Sequence, residues 1–306
     1  MPNEPLVSII LSSYNQPGLL ERAFNSLNNQ TYENIEIIIV DDFSTDERNK
    51  KLIEIYASKY PKRVKAFFQS KNVGIAANKN SGFKLATGEY ITYLDGDDTY
   101  YENKIASEVD VFLKRHDIDI VYSNFDIKNA DGNVLSIWAD NFKPAQGYIF
   151  EDVLLKKFPD AHTHRYELFK KSVLHDVGFY DEQLEMYEDF DLMLRYSAKY
   201  KVAYNNCIAS SYYKNPQSII SQTQGEKLIE AQERIYFKYK QEIKNKELRK
   251  KLKRHLKNMQ LEKQYYLKRI DFKILLKTVI SRPFQFWKVV RIVNFWYRTK
   301  HKIPGH

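Results

Sequence analysis

The chain has 306 residues, enough for one or two domains with a large core. Its 43% hydrophobic and 28% charged content is that of a globular protein and excludes a disordered chain. One cysteine, Cys207, excludes an internal disulfide or a thiolate metal cluster and fits a reducing compartment, so a cytoplasmic location is expected. The opening MPNEPLVSIIL has no basic stretch ahead of a long apolar run, so no signal peptide is expected. No apolar run approaches the ~18–20 residues of a membrane-spanning helix. The net charge of +9 conceals a division. Residues 225–306 hold 23 Lys and Arg against 7 Asp and Glu, a net of +16, while residues 1–224 hold 25 against 32, a net of −7. A mildly acidic body carries a basic extension, and the two need separate accounts.

In chain order, VSIILSSYN (7–15) is an apolar, β-branched run that predicts a buried parallel strand. GLLERAFNSLNNQ (18–30) puts Leu19, Leu20, Ala23, Phe24 and Leu27 on one helical stripe. IEIIIVDDFSTD (35–46) is a second buried strand closed by Asp41 and Asp42, 49–60 a second helix and 64–70 a third strand. Residues 75–87 predict a third helix with Gly88 as its stop signal, and EYITYLD (89–95) a fourth strand. Strand and helix alternating at this spacing predict a doubly wound, parallel α/β sheet.

Ligands collect at the carboxyl ends of strands in such sheets. Three strands end in polar or acidic residues there: Ser12–Asn15, Asp41–Asp42 and Asp95–Asp98. Asp also caps helices and turns, and for Asp41–Asp42 that explanation stands equal to a functional one. No GxGxxG or GxxxxGK[ST] loop is present, so the usual backbone cradles for phosphates are missing. Asp95-Gly96-Asp97 offers hard oxygens on a tight turn, suited to Mg2+ or Mn2+ carrying a diphosphate.

VSIILSSYN, VDDFSTD and NVGIAANKNSGFKLATGEYITYLDGDD follow in the order and spacing of family-2 glycosyltransferases with the GT-A fold. ELFKKSVLHDVGFYDEQLEMYEDFDLMLR (167–195) resembles that family's acceptor-side segment, in which a Glu-Asp pair precedes an amphipathic helix. The resemblance spans residue 5 to roughly residue 220. It implies a GT-A catalytic domain over 1–224, Rossmann-like and mostly parallel, with a nucleotide-sugar-binding half at 1–98 and an acceptor half at 99–224. It also implies transfer of a sugar, with inversion, from a nucleotide-diphosphate donor (a UDP-sugar favoured) to a hydroxyl of a carbohydrate or lipid-linked glycan, as in surface-polysaccharide or glycolipid assembly.

By position, the resemblance makes Tyr14 the residue stacking on the donor base, with Ser12 and Asn15 beside it, and Asp42 the acceptor of a uracil N–H. Asn72, Gly74 and Lys79 fall near the nucleotide. Asp95, with Gly96, resembles the residue near ribose and metal, Asp97 the direct metal ligand, and Asp189 the general base, with Glu188 as runner-up. Asp191 reads as a structural partner for Arg195, one turn on. The chain departs from the family pattern at three places. Ser13 stands where the family often has proline, Lys79 replaces a common arginine, and SSYYKNPQSIIS (210–221) lacks the histidine of a Tyr-Arg-x-His segment. His162 and His164 are the nearby substitutes as metal ligands, at a spacing that would put both on one face of a strand; a polar surface pair or an acceptor contact is the alternative.

Two other classes share some of these features. A sugar nucleotidyltransferase would carry a glycine-rich basic loop after its first strand, which SSYNQPGLLERAF lacks. A non-catalytic nucleotide-sugar-binding protein would not need both Asp97 and Asp189. In the extension, 225–306, residues 226–269 predict long helices, and 271–301 is amphipathic, basic and aromatic. That stretch suits a helical hairpin on the catalytic domain, an anionic membrane surface met through 271–306 as a peripheral protein, or a homo-oligomerisation arm. Nucleic acid is not an expected partner.

Overall fold

Four largely apolar runs open the chain, and each becomes a strand of one sheet. A computed structural model describes residues 4–158, 163–214, 223, 225–240 and 243–266. Strands β1 (Val7–Ser13), β2 (Ile35–Asp41), β3 (Val64–Phe68) and β4 (Tyr90–Asp95) alternate with helices α1 (Pro17–Asn28), α2 (Glu47–Lys59) and α3 (Ile75–Leu85). There follow β5 (Thr99–Tyr100), α4 (Lys104–Lys114), β6 (Ile120–Lys128), β7 (Val134–Ile137), α5 (Phe150–Leu154), β8 (Leu168–Lys170), α6 (Lys171–Val177), α7 (Glu188–Ser197) and β9 (Val202–Tyr213). The sheet order is β3-β2-β1-β4-β8-β6-β9-β5, with β7 beside β6.

β1 pairs in parallel with β2 and β4, β2 with β3, and β6 with β9. Short β8 runs antiparallel to both β4 and β6, so β6 and β9 point the same way as β4. All the long parallel strands therefore present their carboxyl ends at one edge. Every residue of β1 and β2 is buried, as a sheet covered on both faces requires. Side chains such as Ile9, Ile10, Ile38 and Val40, none of them exposed, each stabilise the fold by ~1.5–3 kcal/mol.

Helix boundaries follow local chemistry. α1 begins at Pro17, whose missing N–H costs nothing in a first turn. Asp46 caps α2 by accepting the Arg48 N–H at 3.0 Å, so that helix starts two residues before the predicted Asn49. Gly88 is not the stop of α3, which ends at Leu85 with Ala86 already extended. A Cβ at Gly88 would lie 2.6 Å from the Leu6 carbonyl oxygen and 2.7 Å from Ser8 Oγ, so close approach to β1 requires glycine there. The strand expected around His162 and His164 is absent at His164, which lies in irregular chain before β8, and His162 is outside the described residues.

The chain divides into two units, Met1–Gln217 and Ser218–His306. The second contains α8 (Gly225–Lys240) and α9 (Lys246–Tyr266), joined by Tyr236 Oη and His255 Nε2 at 2.9 Å. Ile235, Tyr236, Leu252 and Met259 are buried. Lys246, Arg249, Lys250, Lys253 and Arg254 of α9 are exposed. The aromatic stretch 271–301 lies outside the described residues. No helix among the described residues is long and apolar enough to cross a membrane.

Candidate active site

Parallel register brings the three polar strand ends together. Ser13 pairs with Asp41 across β1–β2, and Ser12 with Asp95 across β1–β4. Ser12 Oγ donates to Asp95 Oδ1 at 3.3 Å. The turn after β4 presses against β1: a Cβ at Gly96 would sit 2.5 Å from the Ser12 carbonyl oxygen, so only glycine fits between the two aspartates.

The cation implied by so many carboxylates is partly supplied by the chain. Lys79, 3% exposed on α3, places Nζ 2.5 Å from Asp95 Oδ1 and 4.8 Å from the Tyr93 ring centroid. Burial works against its charge, but Asp95, Glu188 and Asp189 hold its pKa above the ordinary lysine value. For Asp95 burial is likewise outweighed, by Lys79, Arg165 and Ser12, and its pKa is lowered. Arg165 is the cation that sequence reading missed. It lies 3.8 Å from Asp98 Oδ2 and packs over the Tyr212 ring at 4.0 Å. Its only signal was position, between His164 and β8 in a segment read for its histidines. Arg22, also unforeseen, donates to the Asp97 backbone carbonyl and stacks on Tyr213 at 3.6 Å.

The two remaining carboxylates of the turn differ. Asp98, 1% exposed, accepts from the Tyr166 hydroxyl and from Tyr213 N at 2.8 Å, so it ties the turn to β9. Burial and then Asp97 push its carboxyl up to about 7, against Arg165 and these donors. The Asp97 carboxylate makes no ion pair among the described residues. Burial and the neighbouring Asp95 charge raise its pKa. A half-buried carboxylate whose pKa stays raised although Arg165 and Lys79 pull against it, and which makes no ion pair among the described residues, fits a divalent cation. Mg2+ or Mn2+ needs one or two protein carboxylates when diphosphate and water complete the shell. Asp97 with Asp95 meets that demand, although no group of three His, Cys, Asp or Glu among the described residues forms a closed metal cage.

On the β1–β2 side, Asp41 builds the turn after its strand, accepting Ser44 N at 2.8 Å, Ser44 Oγ at 2.6 Å and Asn49 Nδ2 at 2.8 Å. Asp42 accepts Val73 N at 2.7 Å and Gly74 N at 3.0 Å, while Asn72 Nδ2 reaches its carbonyl at 3.2 Å. The two segments expected near a nucleotide are therefore bound to each other. Burial and then Asp41 outweigh the two N–H donors and raise the Asp42 pKa. Gly74 precedes α3 with φ +86°. Tyr14 is 48% exposed, its ring open to a ligand. Asn15 organises the loop before α2, its Oδ1 accepting Thr45 N at 2.7 Å and Asp46 N at 3.0 Å.

Glu188 and Asp189 begin α7, preceded by Tyr187 in the left-handed region at φ +64°. Burial and then Asp189 push the Glu188 carboxyl up to about 7, against the pull of Lys79. Asp189 Oδ1 accepts the Phe190 N–H at 2.6 Å. Asp191, fully buried, pairs with Arg195 Nε at 2.8 Å, the structural role expected of it. His164 is buried too, with Nε2 2.6 Å from Tyr196 Oη and 3.2 Å from Glu167 Oε1, its ring stacked on Tyr122.

The chain is similar to proteins named as glycosyltransferases and to solved structures of the same fold. An uncharacterized glycosyltransferase of Rickettsia typhi is 34% identical over 196 residues, 63% of this chain; the chain spans only 58% of that relative's length. One from Haemophilus influenzae is 34% identical over 181 residues, 55% of this chain and 71% of the relative. Among solved structures, a mannosyltransferase from Pyrobaculum calidifontis in complex with GDP-Man and Mn2+ superposes with a TM-score of 0.62 at 16% identity, covering 99% of this chain and 89% of the other. Staphylococcus aureus TarS 1-349 in complex with UDP-GlcNAc gives 0.61 at 17% identity, covering 95% and 80%. These likenesses show a GT-A-type glycosyltransferase fold. The model of glycosyl transferase family 2 matches residues 8–178, more than half of the chain, and the chain belongs to that family.

Proposed function

We propose that this glycosyltransferase moves a sugar from a nucleotide-diphosphate donor, a UDP-sugar, to an acceptor hydroxyl with inversion and with a divalent cation. The observation that carries the reading is the Asp97 carboxylate, without an ion pair among the described residues, on a strand edge where Lys79 and Arg165 are held by neighbouring aspartates. Asp97 and Asp95 would hold Mn2+ or Mg2+, which when bound supplies positive charge to the leaving diphosphate. Lys79 and Arg165 add fixed charge beside the same turn. Tyr14 stacks on the base and Asp42 accepts the uracil N–H with the lone pairs left by Val73 and Gly74. Asp189 takes the acceptor proton, with Glu188 as the alternative base; a base must come within ~2.6–3.2 Å of that hydroxyl in the assembled complex.

The acceptor is a carbohydrate or lipid-linked glycan at the cytoplasmic face of a membrane, met through the basic extension and residues 271–306. Incubation with UDP-Glc, UDP-Gal, UDP-GlcNAc and GDP-Man in Mn2+ tests the transferase reading. Release of nucleoside diphosphate from a UDP-sugar supports it, and full activity in excess EDTA overturns the metal role. NMR of the product's anomeric proton reads inversion or retention. Sedimentation with anionic liposomes at low salt, lost on removing residues 271–306, supports the membrane part; indifference to the liposomes refutes it.

A further inference from the structure

From Val177, the last residue of α6, through Tyr180, every backbone carbonyl is held by a side chain. Arg195, two turns into α7, donates from Nη1 to the carbonyls of Val177 at 2.6 Å and Gly178 at 2.8 Å, and from Nη2 to that of Phe179 at 2.6 Å. Its Nε is fixed by buried Asp191. The fourth carbonyl, of Tyr180, accepts from Asn80 Nδ2 at 2.9 Å, and the Tyr180 N–H returns to Asn80 Oδ1 at 3.0 Å. Asn80 Nδ2 also reaches Glu182 Oε1 at 2.9 Å. One turn along α3, Phe83 stacks on Phe179 with ring centroids 5.7 Å apart.

The two holders are tied to different members of the site. Asn80 follows Lys79, whose ammonium lies on Asp95; Arg195 shares α7 with Glu188 and Asp189. We infer that Asn80 and Arg195 are positioning residues, and that the strap Val177–Tyr180 sets the separation between the donor-side Lys79–Asp95 pair and the carboxylates at the start of α7. The inference rests on the base assignment proposed above. Misplacing a base by about 1 Å can cost on the order of 100-fold in rate, while the nucleotide contacts proposed for Tyr14 and Asp42, after β1 and β2, do not pass through the strap. A lysine at 195 could keep the charge beside Asp191 but not the planar fork that spans three carbonyls.

The test compares Asn80→Ala and Arg195→Lys with the unaltered chain in Mn2+, using UDP-Glc, UDP-Gal and UDP-GlcNAc hydrolysis, UDP binding by calorimetry, and melting temperature. Lys65→Ala, far from the site on β3, serves as a destabilised control. The expected result is a fall in kcat of about 30-fold or more for both variants, with donor KM and UDP Kd within about twofold and kcat of the control unchanged. Unchanged kcat in the two variants, UDP affinity falling in step with kcat, or unfolding of both at 25 °C each assigns the residues to the scaffold and overturns the inference. An unaltered chain that hydrolyses none of the donors fails at the proposed function instead, which keeps the two outcomes apart.

Discussion

The two ends of the central strands treat carboxylates in opposite ways. At the amino end, Glu36 is 5% exposed and accepts from Ser8 Oγ at 2.6 Å, Thr87 N and Oγ1 at 2.7 Å each, and Lys65 Nζ at 2.6 Å. Burial alone would raise its pKa, but Lys65, Ser8 and Thr87 hold it down to about 2. At the carboxyl end, burial and like charge raise Asp97, Asp98 and Glu188 together. A carboxylate with all its donors in place stabilises the fold. Carboxylates crowded at one edge are instead left with raised pKa values, the pattern that clusters at sites taking up charge or protons.

The largest break in that comparison is Asp97→Ala, which should abolish detectable transfer and metal-dependent UDP binding while the protein remains folded. Circular dichroism together with nucleoside diphosphate release checks both halves. Retained metal-dependent binding would move the cation elsewhere. Next, Asp189→Asn should lower the transfer rate roughly 10²–10⁴-fold and leave UDP affinity unchanged by calorimetry. A parallel loss of UDP binding would place Asp189 on the donor side and make Glu188 the base to test.

At the other end, Glu36→Gln should cost stability on the order of 2–3 kcal/mol at pH 7, read by urea unfolding, with activity per folded molecule intact. Because the folded-state pKa is depressed, the Glu36 contribution is present above about 4.5 and disappears as pH falls toward about 2. The difference between the two proteins should therefore shrink in acid; a constant difference would rule out the charge as its origin. The smallest effect is opposite in sign. The Glu188 pKa is raised from 4.5 to about 7, so ionising it removes stability as pH rises through that window. Glu188→Gln should stabilise the metal-free protein at pH 8 by about 1 kcal/mol, less than the Glu36 effect because solvent reaching half-buried Glu188 screens its charge, and match it at pH 4. Destabilisation at pH 8 would mean that Glu188 is a satisfied group like Glu36.

Periodicity made β1 to β4 and α1 to α3 legible, because apolar runs and helical stripes are local properties of the chain. The Asp-Gly-Asp turn was legible for the same reason, and so was Asp191 with Arg195, neighbours on one helix. Roles that depend on distant partners were not. Asp41 and Asp42 are adjacent and look equivalent, yet one closes its own turn and the other binds Val73 and Gly74. Asn15 binds the loop before α2, another partner distant in sequence. His164 drew attention as a ligand type, while Arg165 beside it supplies charge to Asp98.

By itself, then, the sequence determined the alternation of strand and helix, the acidic strand ends and the division between acidic body and basic extension, since composition and near-neighbour spacing encode all three. Tertiary structure decided which cations reach the Asp95–Asp98 turn. Lys79 comes from 16 residues before Asp95 and Arg165 from 67 residues after Asp98, and only the sheet order β1-β4-β8-β6-β9 with α3 packed on β1 and β2 brings them to one edge. Charge acts through distance and burial, and neither is a property of residues read one after another.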